Sequence, residues 1–306
     1  MTALPARGTR GTTAGRAGVF RGIAGPRGTA GRWVACGALC ALAACATPAE
    51  HFDRRASALG LQATRLPGEG FSHRAYVADP QPGSATLRVY VEHDGTPWIH
   101  LDRVSDDPTP RNPFALELMA RDSGPRLFLG RPCHYAPRED ARCDPSLWTH
   151  GRYSATVVAS MVAALRSFLS AHPYRHVVLV GYSGGGTLAW LMAAQIPETT
   201  RVVTVAANLD IDAWARLHGY SALSGSLNPA LAPALPPTID QLHYVGGRDA
   251  NVTPSVVASF ARRHPEARVI EIAEFDHRCC WIERWPELLS GARVAAPRAD
   301  RSRRER

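Results

Sequence analysis

The chain has 306 residues, 35 of them basic and 27 acidic, a net charge of +8 and room for one ordinary α/β domain. Every basic residue is an arginine, so a P-loop lysine and Schiff-base chemistry are both excluded. The excess charge lies at the ends: residues 1–44 hold six arginines and no acid, and residues 292–306 hold six against two acids. Residues 45–291 therefore carry −2, with no basic stripe for nucleic acid.

In chain order, an arginine- and glycine-rich stretch ends at Arg32 and the apolar run Trp33 to Ala44 follows. That run is too short to span a bilayer but suits an export signal. Its end, Leu42-Ala43-Ala44-Cys45, resembles the lipobox of bacterial lipoproteins. The resemblance implies a lipid on Cys45 and a mature protein anchored on the periplasmic or cell-surface side. A plain signal cleaved near Ala44 or Ala46 is the other reading. In an oxidising compartment Cys133 and Cys143, which flank a polar loop, are expected to form a disulfide. Cys279 and Cys280 remain as a vicinal pair or as partners of cysteines elsewhere.

Residues 45–70 are polar, with scattered glycine and proline, and read as a tether. An edge strand is expected at Phe71 to Val77, and Ala85 to Glu92 alternates as a strand. It runs into His93-Asp94-Gly95-Thr96, either an Asp-Gly turn or a loop with a functional N–H. A helix is expected at Phe114 to Arg121 and a strand at Arg126 to Gly130. The long loop after that strand, with His134 and Tyr135, is placed to line a ligand pocket. Tyr153 to His172 has apolar residues at helical spacing.

The organising stretch is His176 to Pro197. A β-branched run reads as a buried parallel strand. Then come Gly181-Tyr182-Ser183-Gly184-Gly185 and an apolar helix pattern that stops at Pro197. A strand, a tight glycine turn and a helix make the G-x-S-x-G elbow, which holds its serine in a strained, exposed position. Further strands are expected at Arg201 to Ala207, Leu242 to Val245 and Arg268 to Phe275, with helices at Ser255 to Arg263 and Glu283 to Leu289. Asp212 to Pro237 reads as a small lid-like insertion. Asp249 follows one late strand and His277 follows the last.

The order of elbow serine, late acid and final histidine resembles the α/β-hydrolase superfamily over residues 71–290, and the basic tail 291–306 lies outside it. The resemblance implies an α/β fold with a mostly parallel, doubly wound sheet. It also implies Ser183 as nucleophile, Asp249 as the acid and His277 as the base. Gly184 and Thr96 would supply the N–H groups that receive the oxyanion. Asp210, after an earlier strand, is the reserve acid. The expected reaction is cleavage of an ester, thioester or amide in a small acyl substrate through an acyl-enzyme, with no cofactor or metal. An acyltransferase or a catalytically silent binding lipoprotein would share the same scaffold.

Overall fold

The computed structural model describes residues 46–79, 85–100, 102–135 and 140–294. The expected signal segment, Cys45 and the tail beyond Val294 lie outside the described residues.

An eight-stranded sheet has the order β1-β2-β6-β3-β7-β8-β9-β10. Its strands are β1 (Gln62–Pro67), β2 (Ser72–Ala78), β3 (Thr86–Val91), β6 (Arg126–Leu129), β7 (His176–Tyr182), β8 (Thr199–Val205), β9 (Asp240–Gly246) and β10 (Arg268–Ile272). The β1/β2 and β2/β6 pairs are antiparallel, and every pair from β6 to β10 is parallel. A two-stranded hairpin, β4 (Trp98–His100) with β5 (Arg103–Val104), stands apart from this sheet.

Helices cover both faces because the central strands are apolar on both. In β3, Leu87, Val89 and Val91 face one core while Tyr90 faces the other. The first core takes α3 (Ala155–Ala171) and α4 (Gly184–Ala193). The second takes α1 (Pro48–Ala58), α2 (Phe114–Ala120) and α7 (Trp281–Val294), with Trp281 and Trp285 fully buried. The described residues also include helices α5 (Ile211–His218) and α6 (Pro254–Ala261). Helix α4 is buried on every side, and its one polar side chain, Thr187, donates its hydroxyl to the Asn208 carbonyl at 2.6 Å. Among the described residues no helix is long and apolar enough to cross a membrane.

Residues 48–70 are not a tether. Thr47 and Glu50 cap each other reciprocally and start α1. Phe52 and Ala56, one turn apart, are then buried against the sheet. Strand β1 follows as an exposed edge, and its terminal Pro67 is at home there. The lid-like insertion is α5 followed by loop and a short 3-10 turn at Pro229–Leu231. It is tied to the segment before α3: Leu227 N–H donates to the Tyr153 carbonyl at 3.0 Å, and Ser226 Oγ to that of His150 at 2.7 Å.

Candidate active site

The elbow forms where β7 meets α4. Ser183 adopts φ 51° and ψ −124°, a region closed to most side chains without strain. The turn is tight enough that a Cβ on Gly181 would strike the Gly185 carbonyl. This brings the serine to the carboxyl end of the sheet, over the first N–H groups of α4.

Ser183 Oγ lies 3.2 Å from His277 Nε2, and His277 Nδ1 lies 2.7 Å from Asp249 Oδ2. Asp249 is buried, and its Oδ1 accepts the N–H groups of Asn251 and Val252, each at 2.8 Å. With the carboxylate fixed there, the imidazole proton belongs on Nδ1 and Nε2 is left to accept from the serine. The loop carrying the histidine is held by the Tyr182 hydroxyl, which donates to the His277 carbonyl at 2.9 Å. Asp276 Oδ1 adds bonds from the N–H groups of Arg278 and Cys279, both at 2.7 Å. Ser183 and His277 open onto a cleft of about 490 Å³, whose wall includes Asn112, Phe114, Trp214 and Arg278.

Thr96 is not placed to receive an oxyanion. Its N–H donates to the Pro108 carbonyl at 2.9 Å, because the proline-rich loop 106–113 folds back over the turn. In the same turn the His93 N–H donates to Glu92 Oε1 and the Gly95 N–H to His93 Nδ1. Since Nδ1 accepts, His93 Nε2–H donates to the Asn112 carbonyl at 2.9 Å, and burial holds this imidazole neutral with its pKa down at about 4. Gly184 stands at the start of α4, where helix N–H groups lack an intrahelical acceptor.

Asp94 is the residue that sequence reasoning missed. Its carboxylate accepts from Arg131 Nη1 at 2.6 Å, Arg152 Nη1 at 3.1 Å and the Tyr153 hydroxyl at 2.7 Å. Burial alone would push this carboxyl up, but the two guanidinium groups and the phenol hold it far below the usual carboxylate range. The cluster sits against the elbow, since a Cβ on Gly184 would collide with the Asp94 carboxylate and the Tyr153 hydroxyl. Two residues earlier, just past β3, Glu92 is fully buried and accepts the N–H groups of Ala115 and Leu116 at the start of α2.

Other expected residues take different places. Asp210 caps α5 and accepts from Ala213 N–H, Asn228 Nδ2 and Ser259 Oγ, so it is a structural acid. Cys133 and Cys143 are bonded, as are Cys279 and Cys280. His134 and Tyr135 do not line the cleft; they face a separate hollow beside the Cys133–Cys143 bond. A second serine–histidine contact, Ser160 Oγ to His73 Nε2 at 2.8 Å, is wholly buried between β2 and α3, with the Gly130 carbonyl where an acid would stand.

A family model for the alpha/beta hydrolase fold matches residues 133–277. Among solved structures, an esterase of Pyrococcus furiosus is similar with a TM-score of 0.52 and 13% identity, covering 76% of this chain and 90% of that one. An α/β serine hydrolase without a lid from Xanthomonas campestris gives a TM-score of 0.50 and 16% identity over 78% and 96%. The acylaminoacyl peptidase of Pyrococcus horikoshii gives 0.53 and 11%, over 78% of this chain and 43% of that one. No curated sequence matches the chain. The parallel strand, the strained serine and the covering helix all fall within the matched stretch, and the chain has the α/β-hydrolase fold.

Proposed function

We propose that the protein is a serine hydrolase acting on a small ester, thioester or amide through an acyl-enzyme. The observation that carries this reading is the chain of contacts from Ser183 Oγ through His277 to buried Asp249, at 3.2 and 2.7 Å. His277 Nε2 takes the serine proton as Oγ attacks the acyl carbon, then returns it to the leaving group. Asp249 holds the tautomer and stabilises the imidazolium. The oxyanion is received by the Gly184 N–H and by that of Asp94, the turn residue whose N–H is not committed elsewhere among the described contacts. Each such donor is worth about 3 kcal/mol in other enzymes. Water then repeats the sequence to release the acid, and no step calls for a cofactor.

A fluorophosphonate probe together with p-nitrophenyl esters of increasing chain length tests the reading. Ser183→Ala is expected to abolish labelling and to lower kcat by about 10⁴-fold or more, with the unfolding midpoint nearly unchanged. Full activity in that variant would remove Ser183 as nucleophile. An unlabelled wild type would leave the silent binding protein.

We also propose that the protein is exported and held at a membrane by lipid on Cys45. Two disulfides, which persist in oxidising compartments, support export alongside the Leu42-Ala43-Ala44-Cys45 pattern. Mass spectrometry of the mature amino terminus decides, since an unmodified terminus at Ala46 or beyond would exclude the anchor.

A further inference from the structure

The imidazole of His277 meets more than the serine. Asn251 Nδ2 lies 3.1 Å from His277 Nε2, against 3.2 Å for Ser183 Oγ. With the ring proton on Nδ1, Nε2 has one in-plane lone pair, and two donors share it. Asn251 is not free to turn its amide over. Trp214 Nε1–H can only donate, and it reaches Asn251 Oδ1 at 3.2 Å. A turned amide would set N–H against N–H at the indole. The backbone is pinned as well: Asn251 N–H donates to Asp249 Oδ1, and its carbonyl lies 2.7 Å from His218 Nε2.

This arrangement suits the resting site and not the reacting one. Once Nε2 has taken the serine proton it becomes a donor, and the Asn251 amide then faces it donor to donor. The amide needs another acceptor at that moment, since a desolvated N–H left unpaired is costly. Geometry says where that acceptor lies. The base must deliver its proton to the leaving-group atom, so that atom comes within hydrogen-bond reach of Nε2. With Nδ2 only 3.1 Å from Nε2, an oxygen two or three bonds further along the leaving group falls within reach of the amide.

Building on the hydrolase reading above, we propose that Asn251 is a specificity-determining residue on the leaving-group side. Its Nδ2–H passes from His277 Nε2 to an oxygen of the departing alcohol, and so selects esters whose alcohol carries a hydrogen-bond acceptor close to the scissile bond. The covalent step balances. The bond from Ser183 Oγ to the acyl carbon forms, the bond from that carbon to the alcohol oxygen breaks, and the serine proton reaches that oxygen through Nε2. Asn112 and Arg278 on the same cleft wall make the surroundings polar enough for such an alcohol.

The test compares 2-methoxyethyl acetate with butyl acetate, which match in length and differ in one ether oxygen. Intrinsic reactivity differs between the two esters but cancels when their kcat/KM ratio is compared across proteins. Asn251→Ala is expected to lower the methoxyethyl-to-butyl ratio about tenfold, the effect of one lost hydrogen bond. Asn251→Asp, nearly isosteric, keeps an oxygen for Trp214 and sets an acceptor where the donor stood. It is expected to lose the preference too, and it serves if the alanine variant is unstable. Equal losses on both esters, with fluorophosphonate labelling of Ser183 intact, would mean that Asn251 only supports the loop and would overturn this proposal alone. Absence of labelling in the wild type would overturn the hydrolase reading and this proposal with it.

Discussion

Asp94→Asn is the most informative single change beneath the candidate site. It keeps the shape of the side chain and the backbone N–H but removes the negative charge shared by Arg131 and Arg152. Those guanidinium groups have side-chain exposures of only 2% and 8%, so water cannot replace the lost partner. Breaking a buried ion pair by removing one member costs about 3–5 kcal/mol. Typical domains are stable by roughly 5–15 kcal/mol, and about 2–4 °C of midpoint accompanies each kcal/mol at this size. The expected fall in Tm is therefore about 10 °C. The penalty should stay level from mildly acid to mildly alkaline pH. The Asp94 carboxyl, held far below its ordinary range, contributes stability above the unfolded pKa that is lost only in strong acid. If Asp94 also positions an oxyanion donor, kcat should fall about 100-fold in the folded variant. Thermal unfolding and ester turnover are read on the same preparation. A Tm within about 2 °C of wild type, with kcat retained, would refute the view that this ion cluster anchors the turn.

Three further outcomes follow from the same geometry. Gly184→Ala should cost about 1–3 kcal/mol and most of the activity, because the new methyl collides with the Asp94 carboxylate and the Tyr153 hydroxyl; calorimetry and kcat check both. Burial pushes the Glu92 carboxyl up to about 8, so the folded chain keeps a proton that the unfolded chain releases near pH 4. Its contribution is full below that pH and is lost as pH rises toward 8, at about 1.4 kcal/mol per pH unit. Glu92→Gln should remove that slope, and a stability difference from wild type that does not change with pH would contradict it. Cys133→Ser with Cys143→Ser should cost about 2–3 kcal/mol of stability, as expected for a short closed loop. It should leave KM nearly unchanged, since His134 and Tyr135 lie off the cleft; a large KM change would mean that the loop reaches the substrate after all.

What was legible in the sequence was what is local. The β-branched strand, the glycine pair around Ser183 and the positions of Asp249 and His277 just past late strands all show in short windows, and the structure brings the three side chains together. Helix α1 has a local signal as well, the capping box of Thr47 and Glu50, but the polar composition around it reads as a tether. Thr96 failed for a non-local reason: its N–H is taken by Pro108, which depends on how a distant loop folds back. The Asp94 cluster draws on residues 94, 131, 152 and 153, and no spacing rule links those positions. Asn251 carried a faint signal, standing two residues past the acid, but its contact with His277 depends on Trp214 in another element.

The early start of α1 bears on how the protein would meet its surroundings. The helix begins at Pro48, and Phe52 is already locked into the core. With a lipid on Cys45, only Ala46 and Thr47 would separate the anchor from the rigid body. At about 3.5 Å per extended residue, that leaves a reach near 10 Å. A catalytic body on so short a leash cannot swing or search; it would ride close against the bilayer in a narrow range of attitudes. Turnover of substrates embedded in vesicles would then depend on which way the cleft is turned, while turnover of freely dissolved esters would not. Inserting a flexible stretch between Thr47 and Pro48 would separate the two behaviours.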